Sequence, residues 1–261
     1  MSILRHADLI PESLRSCPPA PIPESLRSCP PALILTAHGS ADPRSSEVTH
    51  AVAGQIRRLR PWLDVRVAFC ERSEPNLRDV LTALDRPALV TPLLLASAYH
   101  ARIDIPGMID AAKVPVRQAD TLGEDPRLVS VLDQRLGELG MDRNSDTGVL
   151  VVAVGSSHAE ANARTETLAS ALAEYGWPRV RVAYATAEPS VAEGIAALRS
   201  DGAGRIALAP WFIAPGRITD RVANTAAELD VVMAGPLGPH PLLAQTVLDR
   251  FDSAVTERLA A

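Results

Sequence analysis

Past residue 32, apolar positions alternate between two kinds of run. Leu33–Ala37 (LILTA) is short and almost continuously apolar, as expected of a strand buried on both faces. From Ser45 to Arg60, Val48, Ala51, Val52, Ile56 and Leu59 recur at helical spacing. Val65–Phe69 (VRVAF) reads as a second strand, and Asn76–Leu84 as a helix that turns Val80, Leu81 and Leu84 inward. Ala88–Leu95 is the third strand, with Pro92 marking an irregularity because proline cannot donate to a ladder. Val114–Ala119 is a weaker fourth strand, and Leu128–Leu139 closes the series with a helix. Strand and helix alternate, which predicts a parallel sheet covered by helices on both faces.

After a polar linker over 140–148, the pattern restarts. VLVVAVGS (149–156) echoes LILTAHGS (33–40). VRVAYATAEP (180–189) echoes VRVAFCERSEP (65–75), and LGPHPLLAQTVLDRF (237–251) echoes LGEDPRLVSVLDQRL (122–136). Three echoes in order, at offsets of 115 or 116 residues, indicate an internal duplication. The expected fold class is α/β: two tandem parallel-sheet domains over 33–140 and 149–255. Residues 1–32 read differently. PESLRSCPPA occurs at 11–20 and again at 23–32, a period of 12 that is too short for a stacking unit. Its proline pairs favour extended chain, so this stretch is expected to be a disordered leader outside both cores.

Composition narrows the function. The formal charge of −5 argues against a nucleic-acid binder or a ligand of anionic membranes, either of which wants a basic face. Three cysteines (Cys17, Cys29 and Cys70) without metal-type spacing point to a reducing compartment and no disulfide framework. No apolar run reaches about 18 residues and the start lacks the form of a signal peptide, so a cytoplasmic protein is expected.

Three polar residues then stand out. His38 follows the first strand, Glu71 the second and His100 the third. In an open parallel sheet, ligands bind beyond the carboxyl ends of the strands, so all three fall on that edge. Two imidazoles and a carboxylate suit a borderline divalent ion, and neutral imidazole is a base near neutral pH. The second copy is an internal control. Val154 stands where His38 does, Ala185 or Thr186 opposite Glu71, and Gly216 opposite His100. All three types vanish together while the scaffold words persist, which argues that the scaffold does not require them. Cys70, adjoining Glu71, points the other way by strand alternation and is expected in the core. His50 is expected to be exposed on the first helix, His158 near the cleft mouth, and His240 at a helix start.

LILTAHGSADPRSSE, FCERSEPNL and PLLLASAYHARIDIP together resemble the class II sirohydrochlorin chelatases of the CbiX and SirB type, in a two-copy fused form covering roughly residues 33–255. His-Gly-Ser and His100-x-x-x-Asp104-Ile105-Pro106 carry most of the likeness. The resemblance implies two flavodoxin-like domains across a cleft, with His38, His100 and Glu71 as the metal-insertion site, ligating the ion and accepting pyrrole protons. It implies a divalent metal as substrate (Fe²⁺ first, Co²⁺ next, Ni²⁺ possible), no organic cofactor, and a monomer acting as a pseudo-dimer with one active site. Sirohydrochlorin-type tetrapyrroles are polycarboxylates, and arginine is their favoured planar partner. Arg44, Arg72, Arg102 and Arg217, with Arg221 near the last, are the candidate grips, together with Ser40 and Tyr99. The rival reading is a non-catalytic metal or tetrapyrrole carrier, which would not need a general base. A histidine phosphatase is disfavoured because Ala37, not arginine, precedes His38.

Overall fold

The computed structural model describes residues 30–97 and 99–260, with side chains described through residue 257. The leader expected over 1–32 lies outside the described residues as far as position 29, and Ala32 already belongs to the first strand. Strands β1 (Ala32–Ala37), β2 (Val65–Phe69), β3 (Ala88–Pro92) and β4 (Val116–Gln118) form a parallel sheet in the order β2-β1-β3-β4. Strands β5 (Thr147–Ala153), β6 (Val180–Tyr184), β7 (Arg205–Pro210) and β8 (Val232–Met233) form a second, in the order β6-β5-β7-β8. The registers match: Leu33 faces Val65 as Val149 faces Val180, and Thr36 faces Pro92 as Val152 faces Pro210. The expected duplication into two parallel-sheet domains is thus seen strand by strand.

Helix starts follow from short side chains and proline. Asp42 accepts from the Arg44 N–H at 3.1 Å and Pro43 opens α1 (Pro43–Leu59). Asn76 caps α2 (Leu77–Thr82) through the Arg78 N–H at 2.9 Å. Asp125 caps α4 (Pro126–Gly137), which follows the short α3 (Ile105–Ile109). The second half carries α5 (Ala159–Ala173), α6 (Val191–Ser200), α7 (Arg217–Glu228) and α8 (Pro241–Ala260). Several expected boundaries shift. The third strand stops at Pro92 rather than Leu95, the polar linker ends before Thr147, and α1 buries Thr49, Val52, Ala53 and Ile56 while Ala51 and Leu59 face solvent.

One face of each sheet has a local cover. Ile34, Ala68 and Val90 pack with Leu77 and Leu81 of α2 and Ile105 of α3; Leu150, Val152 and Leu208 pack with Ile195 of α6 and Val222 of α7. The other face is completed by exchange. Helix α8, from the end of the second half, packs on β3, α1 and α4. Helix α4, from the end of the first half, packs on β7 and α5. Charged groups fasten the exchange: Arg60 pairs with Asp252, Arg127 with Asp249, and Arg250 bonds the buried Asp125 at 3.0 Å. The Trp177 indole N–H adds a 2.7 Å bond to Asp133 of α4. The two halves therefore form one compact unit. Among the described residues, no helix is long and apolar enough to cross a membrane.

Candidate active site

The loops after β1 and β2 approach closely because Gly39 adopts φ +93°, a conformation that side chains rarely take. A Cβ on Gly39 would lie 1.7 Å from the Glu71 carbonyl oxygen, so the approach requires glycine. Across this contact the Cys70 N–H donates to the Ala37 carbonyl and the Glu71 N–H to the His38 carbonyl, each at 3.0 Å. The backbone thereby sets His38 beside Glu71, with Nε2 3.1 Å from Oε1. The same carboxylate oxygen accepts from Arg72 Nε at 3.1 Å, and Arg72 itself sits at φ +58°.

His100 arrives from a different kind of turn. His100–Asp104 is a single π-helical turn leading into α3, in which the Ile105 N–H reaches back to the His100 carbonyl. Pro106 has no N–H with which to continue an α ladder at that point, which favours the wider turn. The turn brings Asp104 Oδ2 to 2.6 Å from His100 Nδ1, leaving Nε2 as the outward ring nitrogen. The His38 and His100 ring centroids lie 4.0 Å apart, inclined at 61°. Tyr99 is exposed, with its ring 5.9 Å from that of His100.

These contacts decide protonation. Burial holds His38 below the usual imidazole pKa; His100 and Arg72 push the same way, against Glu71 and Asp104. His38 is therefore neutral at neutral pH. Its Nδ1 is buried without a hydrogen-bond partner among the described residues. Cys70 lies in the core as expected, where burial pushes its thiol up to about 12, so it stays protonated.

The candidate substrate arginines are placed unevenly. Arg44 is held by Asp42 and by Asp220 of the other half. Arg102 lies 3.3 Å from Ser97 Oγ and 3.9 Å from Glu160 of the other half. Arg72 is turned to Glu71, Arg221 donates to the Ala185 carbonyl, and Arg217 opens α7, where its charge acts on Asp42. Ser40 braces the loop: its N–H donates to Ser73 Oγ, its carbonyl accepts from that hydroxyl, and its own Oγ accepts from the Asp42 N–H. A cavity at the seam is lined by Leu95, Ser97, Arg102, Glu124, Glu160 and Arg164 and by neither of the clustered imidazoles.

Asp104, part of the His100-x-x-x-Asp104 stretch, gains its role as the orienting partner of His100 from the turn geometry. His50 is exposed; His158 and His240 stand at helix starts, the latter accepting from the Leu242 N–H at 3.2 Å. At the matching edge of the second sheet Val154 is exposed in place of His38. Among the described residues, no three or more His, Cys, Asp or Glu side chains are arranged to hold a metal ion; Glu71 is turned to His38 and Arg72, and Asp104 to His100.

Paired parallel sheets exchanging their last helices, with two imidazoles and a carboxylate at one carboxyl edge, define a duplicated α/β protein of the chelatase-like kind. The CbiX family model matches residues 32–139 and again 148–254, and the chain belongs to that family. It is 28% identical over 244 residues to a sirohydrochlorin ferrochelatase of Priestia megaterium, covering 86% of this chain and 91% of the relative. It is 25% identical to a sirohydrochlorin cobaltochelatase of the same organism, covering 82% and 76%. In fold it resembles SirB from Bacillus subtilis solved with Fe³⁺, with TM-score 0.75 and 21% identity over 87% of this chain and 96% of that one.

Proposed function

We propose that this chain is a chelatase that inserts a divalent metal, Fe²⁺ first and Co²⁺ next, into sirohydrochlorin or a close polycarboxylate relative. The observation that carries the reading is the pair of imidazoles 4.0 Å apart at the carboxyl edge of the first sheet in a CbiX chain. Insertion exchanges two pyrrole N–H protons for one metal ion, so the site must loosen the ion's water and accept protons. A neutral His38 beside Glu71 can take a proton and have the resulting charge stabilised by the carboxylate. His100, oriented by Asp104, offers Nε2 to the incoming ion, an arrangement that recurs at metal-binding histidines. Iron is put first because, of the two Priestia megaterium relatives, the one named for iron matches at higher identity and coverage than the one named for cobalt. Arg44, Arg72, Arg102 and Arg217 are assigned to the substrate carboxylates, with Ser40 shaping the loop and Tyr99 flanking the ring. The protein acts as a cytoplasmic monomer whose second half completes the cleft.

The test is the absorbance change on Fe²⁺ or Co²⁺ insertion into sirohydrochlorin, alongside a binding titration. Accelerated insertion supports the reading. A protein that binds the tetrapyrrole but accelerates insertion of no divalent ion is a carrier instead.

A further inference from the structure

Among the ion pairs that cross between the halves, two start from positions that the duplication relates. Arg44 and Glu160 occupy the same place in their copies, the second residue of α1 and of α5. Arg44 reaches Asp220 near the start of α7, while Glu160 faces Arg102 in the π turn, 3.9 Å away. The two contacts differ in quality. Asp220 takes the end of the Arg44 guanidinium as a two-point fork, Nη1 to Oδ1 at 3.1 Å and Nη2 to Oδ2 at 2.5 Å. Asp42 takes the side, Nε to Oδ1 at 3.0 Å and Nη2 to Oδ2 at 2.5 Å. Asp42 also caps α1, so the side-on contact is anchored by the helix start. The end-on contact spans the two halves between side chains that are both about half exposed.

We propose that Asp220 is an internal substitute for a substrate carboxylate and a determinant of ligand selectivity. It occupies the end-on fork of Arg44 in the free protein and yields it when a polycarboxylate tetrapyrrole enters. The proposal rests on the reading above, in which Arg44 grips substrate. An exposed ion pair contributes little stability, so its exchange costs little. A carboxylate tethered on the same molecule is nevertheless present at high effective concentration. A small monovalent or divalent anion competes poorly with it, whereas a macrocycle held by several arginines at once does not. Asp42 keeps the guanidinium aimed throughout, so Arg44 passes from one carboxylate to the next without losing its orientation.

The experiment is a double-mutant cycle on the full chain, reading KM and kcat for Co²⁺ insertion into sirohydrochlorin and inhibition by succinate. Arg44→Ala is expected to raise KM. Asp220→Asn is expected to lower KM by roughly two- to five-fold, the range of one exposed pair, and to make the enzyme newly sensitive to succinate. The double variant should match Arg44→Ala. Asp220→Ser repeats the test without an amide, and melting curves confirm that each variant folds. If Arg44→Ala raises KM but neither Asp220 variant lowers it, the exchange is wrong while the arginine assignment stands. If Arg44→Ala leaves KM unchanged, the assignment of Arg44 to substrate fails and the exchange falls with it.

Discussion

At the end of β1 the chain runs His38-Gly39-Ser40, and at the end of β5 it runs Val154-Gly155-Ser156. Both glycines sit near φ +93°, both halves carry a cis Glu-Pro bond after the second strand, and both third strands end on proline. The backbone of the edge is thus preserved in each copy, because both glycines hold a φ that side chains rarely adopt, and at Gly39 the Glu71 carbonyl leaves no room for a Cβ. The side chains that could do chemistry are preserved in one copy alone. The second edge carries Val154, Thr186, whose hydroxyl donates to the Val154 carbonyl at 2.7 Å, and Gly216. A scaffold can therefore be duplicated and retained while its chemistry is not, and what the second half keeps is charge that reaches across to the first.

The comparison breaks most sharply at the imidazoles. His38→Ala or His100→Ala is expected to lower metal insertion by on the order of 100- to 10,000-fold, the usual weight of a general base, while sirohydrochlorin binding is largely retained. Insertion at wild-type rate in both variants would remove these histidines from the chemistry. The exchanged helices come next. Asp125 is a buried cap bonded by Arg127 and Arg250, while the side chain of its counterpart His240 accepts from the Leu242 N–H. Asp125→Ala should destabilise the fold by about 3 kcal/mol, as expected when one partner of a buried pair is lost, and His240→Ala by about 1 kcal/mol. Urea unfolding of the two variants checks the ranking, and equal losses would contradict it.

A smaller effect lies in pH. The pKa of His38 is below the ordinary 6.5, so the neutral base survives mild acid, and kcat/KM should decline only below that value as the ring protonates. Arg72 depresses this pKa, so Arg72→Ala should move the acid limb to higher pH. Glu71 raises it, so Glu71→Gln should move the limb lower and weaken the rate less than loss of an imidazole. A limb that stays in place in both variants would show that another group titrates. The smallest expected effect is none: Val154→His should add no second insertion activity, measured in a His38→Ala background, because Gly216 and Thr186 give it no partners.

Much of this was readable from the sequence, for reasons that differ by element. β1 and β5 announce themselves because both faces of each are covered, leaving a continuous apolar run. His38, Glu71 and His100 could be grouped because topology alone puts all three after parallel strands. The apolar stripe of α1, which includes Ala51 and Leu59, differs from its buried face, which takes in Thr49 and Ala53 instead. The reason is that α1 packs against α8 as well as its own sheet, and a partner supplied from the other end of the chain leaves no local periodicity. For the same reason the stripe on Leu128–Leu139 shows an apolar face without showing which sheet it covers. Arg44 stands out in the sequence as a candidate grip, but its tie to Asp220 joins distant segments and has no local signature. Asp104 needed the π turn before its bond to His100 could be seen.

The helix exchange also sets an order of events during synthesis. Arg60 and Asp252 meet across 192 positions of chain. When β1 to β4 have left the ribosome, one face of that sheet still lacks part of its cover, because α8 follows both sheets in the chain. The apolar side of β3 and the inner stripe of α1 must wait, and so must the staple between Arg127 and Asp249. Contacts so distant in sequence slow folding, and surface left open in the interval is the kind that aggregates. A nascent chain halted at residue 140 should therefore be protease-sensitive where the finished protein is resistant.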